Sequence, residues 1–228
     1  MTPLSTAADT RPSKSKLLAG LSEHDQGLIL RMAERRSAPG KEVLIHGGER
    51  AAFLFLLLEG RAKYYHVTAE GEELLLFWLT PGDVFGLGTL LKNPPAYLGT
   101  AETLKDCELL VWEHSVIRGL SGVYPQLAEN ALRITLGYLA AYADRHSGIA
   151  TRTAEQRLAD TLLRLGHRAG RTHPNGVDID ITNEQLGGLA DVGVFTASRL
   201  LSKWVRQGTI AKERGRIRIH APENLLTE

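Results

Sequence analysis

The sequence predicts an α+β chain with a β jelly roll in its first half, a long helix after it, and a winged helix-turn-helix at its end. Three observations predict this. Strand-length apolar runs punctuated by glycine follow one another from Pro39 to Val111. An unbroken helical stretch over 125–147 carries two apolar stripes. Two short helical patterns separated by a glycine, then a basic hairpin, fill Thr182 to Ile219.

Residues 1–15 are polar and rich in Ser, Thr and Pro, and read as a flexible arm. A jelly-roll domain is expected over 16–121. Ser22 caps its first helix, which runs to about Arg35 with Leu28, Ile29 and Met32 as the buried side. Strands follow over 42–46, 53–58, 61–67, 73–79 and 108–111. Turn signals fall at Gly47-Gly48, Glu59-Gly60, Glu70-Gly71-Glu72 and Pro81-Gly82-Asp83. Many short strands at near-regular spacing suit a jelly roll.

The helix over 122–147 is roughly 34 Å long across its apolar part, at about 1.5 Å per residue. Leu127, Ala131, Ile134, Tyr138 and Ala141 form one stripe; Leu132, Leu136, Leu139 and Ala143 form another. Two apolar faces need two covers: the chain's own sheet, and something else, which within a single chain would be its other domain. Ser147-Gly148-Ile149-Ala150 reads as a hinge. The remaining residues, 148–228, form the last domain, which opens with an amphipathic helix over 153–166 bearing Leu158, Leu162, Leu163 and Leu165.

Thr182 and Gln185 make a capping box, and the helix they start turns Leu186, Leu189 and Ala190 inward. Gly193 is expected to make the sharp turn through a positive φ. A second helix over 194–207 packs Ala197, Leu200, Leu201 and Trp204 and stops at Gly208. Its outer face carries Val194, Phe195, Ser198, Arg199, Ser202 and Lys203. From Thr196 to Arg218 the cations Arg199, Lys203, Arg206, Lys212, Arg214, Arg216 and Arg218 face the single anion Glu213. That local excess is the footprint of a nucleic-acid-binding surface, although the whole chain carries a net charge of only +1.

Cys107 is the single cysteine, so no disulfide framework or cysteine-held cluster forms within one chain. No stretch reaches the length of a membrane span, and the N-terminus lacks a signal-peptide core, so a cytoplasmic protein is expected. No nucleophile–base pair is apparent, and no enzyme activity is expected. The alternative is a ligand-binding or metal-dependent jelly roll of the cupin type. Such sites need several His and a carboxylate converging on one strand pair, and His46, His66 and His114 lack that clustered spacing.

The run LLLEGRAKYYHVTAEGEELLLFWLTPGDVFGLGTLL, with its Glu-Gly turn and its Pro-Gly-Asp-x-Phe-Gly, resembles the effector domain of the Crp/Fnr family of bacterial transcription regulators. With the helix-turn-helix and wing, the likeness spans nearly all the chain beyond the arm. It implies a cyclic-nucleotide-binding-like domain, a homodimer paired through the long helix, and a pseudo-palindromic double-stranded DNA operator.

Cyclic-nucleotide members of the family place a Glu after the Phe-Gly pair and an Arg-Ser pair on the following strand. Here Gly86-Leu87-Gly88 and Tyr97-Leu98 stand at those places. With Trp78 they mark the expected effector pocket, which lacks a guanidinium for a phosphate, so no response to cyclic AMP or cyclic GMP is expected. Tyr64, Tyr65 and Phe77 either line that pocket or fill the barrel. No cofactor or metal is expected, with haem on His46, His66 or His114 the one alternative. The family's base-reading positions fall on Val194, Phe195 and Arg199, and phosphate contacts on Thr196, Ser198, Lys203, Arg214 and Arg216. Thr172, His173 and Gly176 match a loop with which family activators touch the RNA polymerase α subunit, which favours activation over repression.

Overall fold

The computed structural model describes residues 15–71 and 73–225. The expected arm, save its last residue, and Glu72 of one expected turn lie outside the described residues. The chain divides into two compact units, Met1–Leu139 and Ala140–Glu228.

In chain order the first unit contains α1 (Glu23–Arg31), β1 (Glu34–Ala38), β2 (Val43–Ile45), β3 (Phe53–Glu59), β4 (Ala62–Val67), β5 (Glu73–Leu79), β6 (Val84–Phe85), β7 (Thr100–Thr103), β8 (Cys107–Glu113), α2 (His114–Val123) and the first half of α3 (Gln126–Thr151). The strands form two antiparallel four-stranded sheets, β1-β8-β3-β6 and β2-β7-β4-β5. Phe55, Leu57, Leu109 and Val111 of one sheet bury against Ala62, Tyr64, Leu79 and Ala101 of the other. The opposite face of the first sheet carries Leu54, Leu56, Leu110 and Trp112 into a second cluster with Ile29, Ile117, Leu127, Ala131 and Ile134. Strand β3 is therefore apolar at consecutive positions, as a strand covered on both faces must be. The Trp112 indole N–H donates to the Ile29 carbonyl at 3.0 Å, fastening α1 to the sheet. Gly60 turns β3 into β4 at φ +97, where a Cβ would overlap the Asp106 carbonyl and the Cys107 sulfur.

Three expectations fail, two in this unit and one in the second. The first helix stops at Arg31, and the residues assigned to its tail form β1 instead. Glu34 to Ala38 pair with β8, where Arg35 and Ser37 both bond Glu108, so cross-strand pairing wins over a sequence without apolar alternation. Met32, expected inside, is 56% exposed. The expected hinge at 147–150 is helical, since α3 continues unbroken to Thr151. The break comes at Arg152, and the Thr153–Gln156 capping box starts the next helix.

The second unit contains the end of α3, α4 (Ala154–Ala169), β9 (Arg171–His173), β10 (Gly176–Asp180), α5 (Asn183–Ala190), α6 (Val194–Arg206), β11 (Ile210–Glu213) and β12 (Arg216–Ile219). Its strands order as β11-β12-β10-β9, so the wing hairpin is the edge of a four-stranded sheet. Leu158, Leu162, Ile179, Leu186, Leu201, Trp204, Ile217 and Ile219 are buried together as its core. Along α3 the first stripe is buried at Leu127, Ala131 and Ile134, half-buried at Tyr138 and exposed at Ala141. The second stripe lies open, with Leu132, Leu136 and Leu139 at 59%, 53% and 60% exposure.

Candidate nucleic-acid interface

Thr182 accepts from the Gln185 backbone N–H at 3.2 Å while the Gln185 side chain accepts from the Thr182 N–H at 3.0 Å, closing the capping box of α5. Leu186, Gly187 and Ala190 are its buried residues. The turn that follows differs from expectation. Gly193 has φ −56 and serves as the N-cap of α6, whereas Asp191 takes the left-handed conformation at φ 51, ψ 48.

A short polar side chain tolerates that region better than other non-glycine residues, and here the carboxylate is also held. Arg145, from the last turns of α3, grips Asp191 with two bonds, Nε to Oδ2 at 2.6 Å and Nη2 to Oδ1 at 2.7 Å. The same Nη2 reaches the Gly188 carbonyl at 2.9 Å. Arg157 of α4 donates to the Ala190 and Asp191 carbonyls at 3.0 and 2.9 Å, satisfying acceptors that the end of α5 leaves open. The sequence reading missed Arg145, Arg157 and Asp191. Its one available signal was an Asp where the turn needs a left-handed residue, and the nearby glycine masked it.

With its turn held and Ala197, Leu200, Leu201 and Trp204 buried, α6 has one possible outward face. Val194 is 44% exposed and Phe195 89%. Arg199 is exposed and makes no ion pair among the described residues. Thr196 and Ser198 are half-buried beside it, and the Ser202 hydroxyl bonds back to the Ser198 carbonyl.

The other expected phosphate ligands divide. Arg214 at the wing tip is exposed and, like Lys212 and Arg206, has no ion pair among the described residues. Lys203 instead pairs with Glu155 at 2.7 Å. Arg216 pairs with Asp180 at 3.3 Å and lies 3.8 Å from Glu213. Arg218 sits directly across from Asp178, holds it with two bonds at 2.6 and 3.0 Å, and keeps that carboxyl below the usual carboxylate range. The basic stretch read as one footprint is thus part surface and part sheet scaffolding.

The hairpin β9–β10 contains the expected polymerase-contact positions. Thr172 is exposed, while His173 is half-buried and its Nδ1 accepts from the Asn175 backbone N–H at 3.1 Å. Gly176 has φ +131, and a Cβ there would overlap the Ile219 carbonyl, so packing alone demands a glycine.

The residues expected to line an effector pocket do not converge. Tyr97 belongs to the cluster between the sheets, with its hydroxyl donating to the Phe53 carbonyl at 2.9 Å and accepting from the Ala52 and Phe53 N–H groups. Gly86, at φ +81, lies against the Tyr97 ring. Leu87 packs on the helix side, in the second cluster. Gly88 faces Pro95, and Leu98 is 84% exposed. Trp78 is buried beneath the Arg61 guanidinium at 5.0 Å, outside the cluster that Leu79 and Phe77 join. The space between the sheets is filled by apolar side chains, with Phe55 on Phe85 at 4.9 Å and Tyr64 on Phe77 at 4.8 Å.

His46 and His66 are exposed, and His114 Nδ1 bonds the Thr89 carbonyl at 2.8 Å. No group of three or more His, Cys, Asp or Glu is placed to hold a metal among the described residues. Cys107 is buried, which pushes its thiol pKa up. No helix of the described residues is long and apolar enough to cross a membrane.

If the Arg145–Asp191 pair sets the turn, Arg145→Ala should lower the stability of the second unit by about 2 kcal/mol. Asp191→Gly should cost less, since glycine relieves a left-handed strain of about 1–2 kcal/mol. Hydrogen exchange at α5 and α6 amides checks both, and unchanged protection in the two variants would show the pair to be idle.

Comparison with known proteins matches this architecture in both halves. Residues 35–122 match the cyclic nucleotide-binding domain family and residues 156–227 the Crp-like helix-turn-helix domain family. The cAMP-activated global transcriptional regulator CRP of Pasteurella multocida is 28% identical over 164 residues, covering 72% of this chain and 78% of its own. The fumarate and nitrate reduction regulatory protein of Yersinia pestis is 25% identical over 195 residues, covering 84% and 77%. Among solved structures, FixK2 from Bradyrhizobium japonicum shares the fold with a TM-score of 0.74 at 22% identity, over 85% of this chain and 95% of its own. With both domains matched in this order, the chain belongs to the Crp/Fnr family of transcription regulators.

Proposed function

We propose that the protein acts in the cytoplasm as a two-fold dimer that binds double-stranded DNA and activates transcription, without control by cyclic AMP or cyclic GMP. The observation that carries this reading is the outer face of α6. Arg199 has no ion pair there among the described residues, and the exposed cations Lys212 and Arg214 follow on the wing. A guanidinium so presented takes guanine O6 and N7 together in the major groove. The open stripe Leu132, Leu136 and Leu139 supports pairing through α3, since helical spacing of exposed leucines suits a copy of the same helix. A dimer of this kind reads half-sites about 34–36 Å apart.

Our reading gives the first unit no nucleotide and no haem. A cyclic phosphate buried at Tyr97-Leu98 would meet a ring and an outward leucine rather than a cation, at a desolvation cost of several kcal/mol. The three candidate haem histidines are solvated or hold a backbone carbonyl. Activation rests on the exposed β9–β10 turn, where Thr172 and His173 would meet the polymerase α subunit.

Arg199→Ala should lose about 1–3 kcal/mol of discrimination at one base pair of each half-site. Arg214→Ala should weaken matched and mismatched duplexes alike and flatten the dependence of affinity on salt by about one phosphate. Identical behaviour of the two variants in fluorescence-anisotropy titrations would contradict the assignment. Calorimetric titration with cyclic AMP is expected to show no binding at micromolar strength, and a saturating heat signal there would refute the nucleotide-independent reading.

A further inference from the structure

Phe195 is an apolar ring held in water. It lies in the first turn of α6 with 89% of its surface exposed, and Val194 beside it is 44% exposed. The ring cannot turn inward, because the buried side of α6 is already filled by Ala197, Leu200, Leu201 and Trp204. It has no aromatic neighbour among the described ring pairs. Four residues on, one helical turn away and on the same face, stands Arg199, which makes no ion pair among the described residues.

In a major groove the edges of the bases are polar, with one exception: the C5-methyl group of thymine. An outward phenyl ring flanked by a valine has nothing else there to bury against. Arg199 meanwhile needs two acceptors, which guanine presents as O6 and N7. The two side chains start about 5–6 Å apart at their Cβ atoms, a span of one or two base steps at about 3.4 Å each. Building on the DNA-binding reading above, we propose that Phe195, buttressed by Val194, reads a pyrimidine C5-methyl group within two base pairs of the guanine taken by Arg199.

The recognised feature is the methyl group and not the identity of the base. Thymine and 5-methylcytosine present it at the same place in the groove; uracil and cytosine do not. Sequence reading at this position is therefore a contact with about one methyl carbon, made by dispersion and dehydration rather than by a hydrogen bond. Burial of one such group corresponds to about a fourfold change in affinity.

The test uses a duplex selected by the full chain from a random-sequence pool. Each thymine of a half-site is replaced in turn by deoxyuridine, and affinity is measured at fixed salt. One position within two base pairs of the essential guanine should weaken binding about fourfold on loss of the methyl. A duplex with cytosine there should gain about the same factor when that cytosine is 5-methylated. Phe195→Ala, which alters an exposed residue, should fold normally by circular dichroism and erase both differences while keeping the preference for guanine.

Thymine and uracil duplexes bound alike at every half-site position, or a methyl effect that survives Phe195→Ala, would overturn the proposal. If Arg199→Ala still abolished guanine preference in that event, the DNA-binding reading would stand without it. Failure of the chain to enrich any duplex at low salt would sink both.

Discussion

The recognition helix depends on a turn that its own backbone does not favour. Asp191 sits in the left-handed region, which costs a non-glycine residue about 1–2 kcal/mol, and the Arg145 fork holds it there by two short charged bonds. Arg157 takes the Ala190 and Asp191 carbonyls. The pair is only partly exposed, 15% for the Arg145 side chain and 25% for that of Asp191, so water screens it less than it would a surface ion pair. Once the turn is fixed, α6 leaves with its apolar side packed and Phe195 and Arg199 outward. The outward face of α6 is thus a consequence of a contact with α3, the element that also carries the exposed leucines.

The first unit is built on a different constraint. Strand β3 is buried on both sides, and each side belongs to a separate apolar cluster. Between the sheets Phe55, Phe85, Tyr64, Phe77 and Tyr97 fill the volume. On the other side α1, α2 and the start of α3 cover the sheet. Tyr138 of α3 stacks on Phe77 at 4.4 Å, continuing the ring column that starts at Tyr64. The expected pocket residues scatter around this filled interior: Leu87 packs on the helix side and Trp78 lies beneath the Arg61 guanidinium.

Much of this was legible in the residues themselves. The glycine-punctuated strands from Phe53 to Leu79, the Thr182–Gln185 box, the α6 face and the Gly208 stop follow from local rules of periodicity and capping. What escaped was set by distant partners. The polar stretch Glu34 to Ala38 is a strand because β8 lies beside it. Gly148 is helical despite its local freedom, since α3 runs through it as one continuous helix. Asp191 was overlooked because Arg145, forty-six residues earlier in the chain, makes its conformation tenable. Arg218 and Arg216 belong to a basic run in the sequence, but carboxylates on the neighbouring strand hold both.

The proposed assembly is two copies of the chain, joined along α3, each placing α6 in one groove of the same duplex. Sedimentation equilibrium of the chain with a labelled, self-selected duplex measures this directly. The account predicts two chains per duplex at saturation, with the half-sites one helical turn apart. A single chain occupying the duplex at full affinity, with no self-association in its absence, would contradict it.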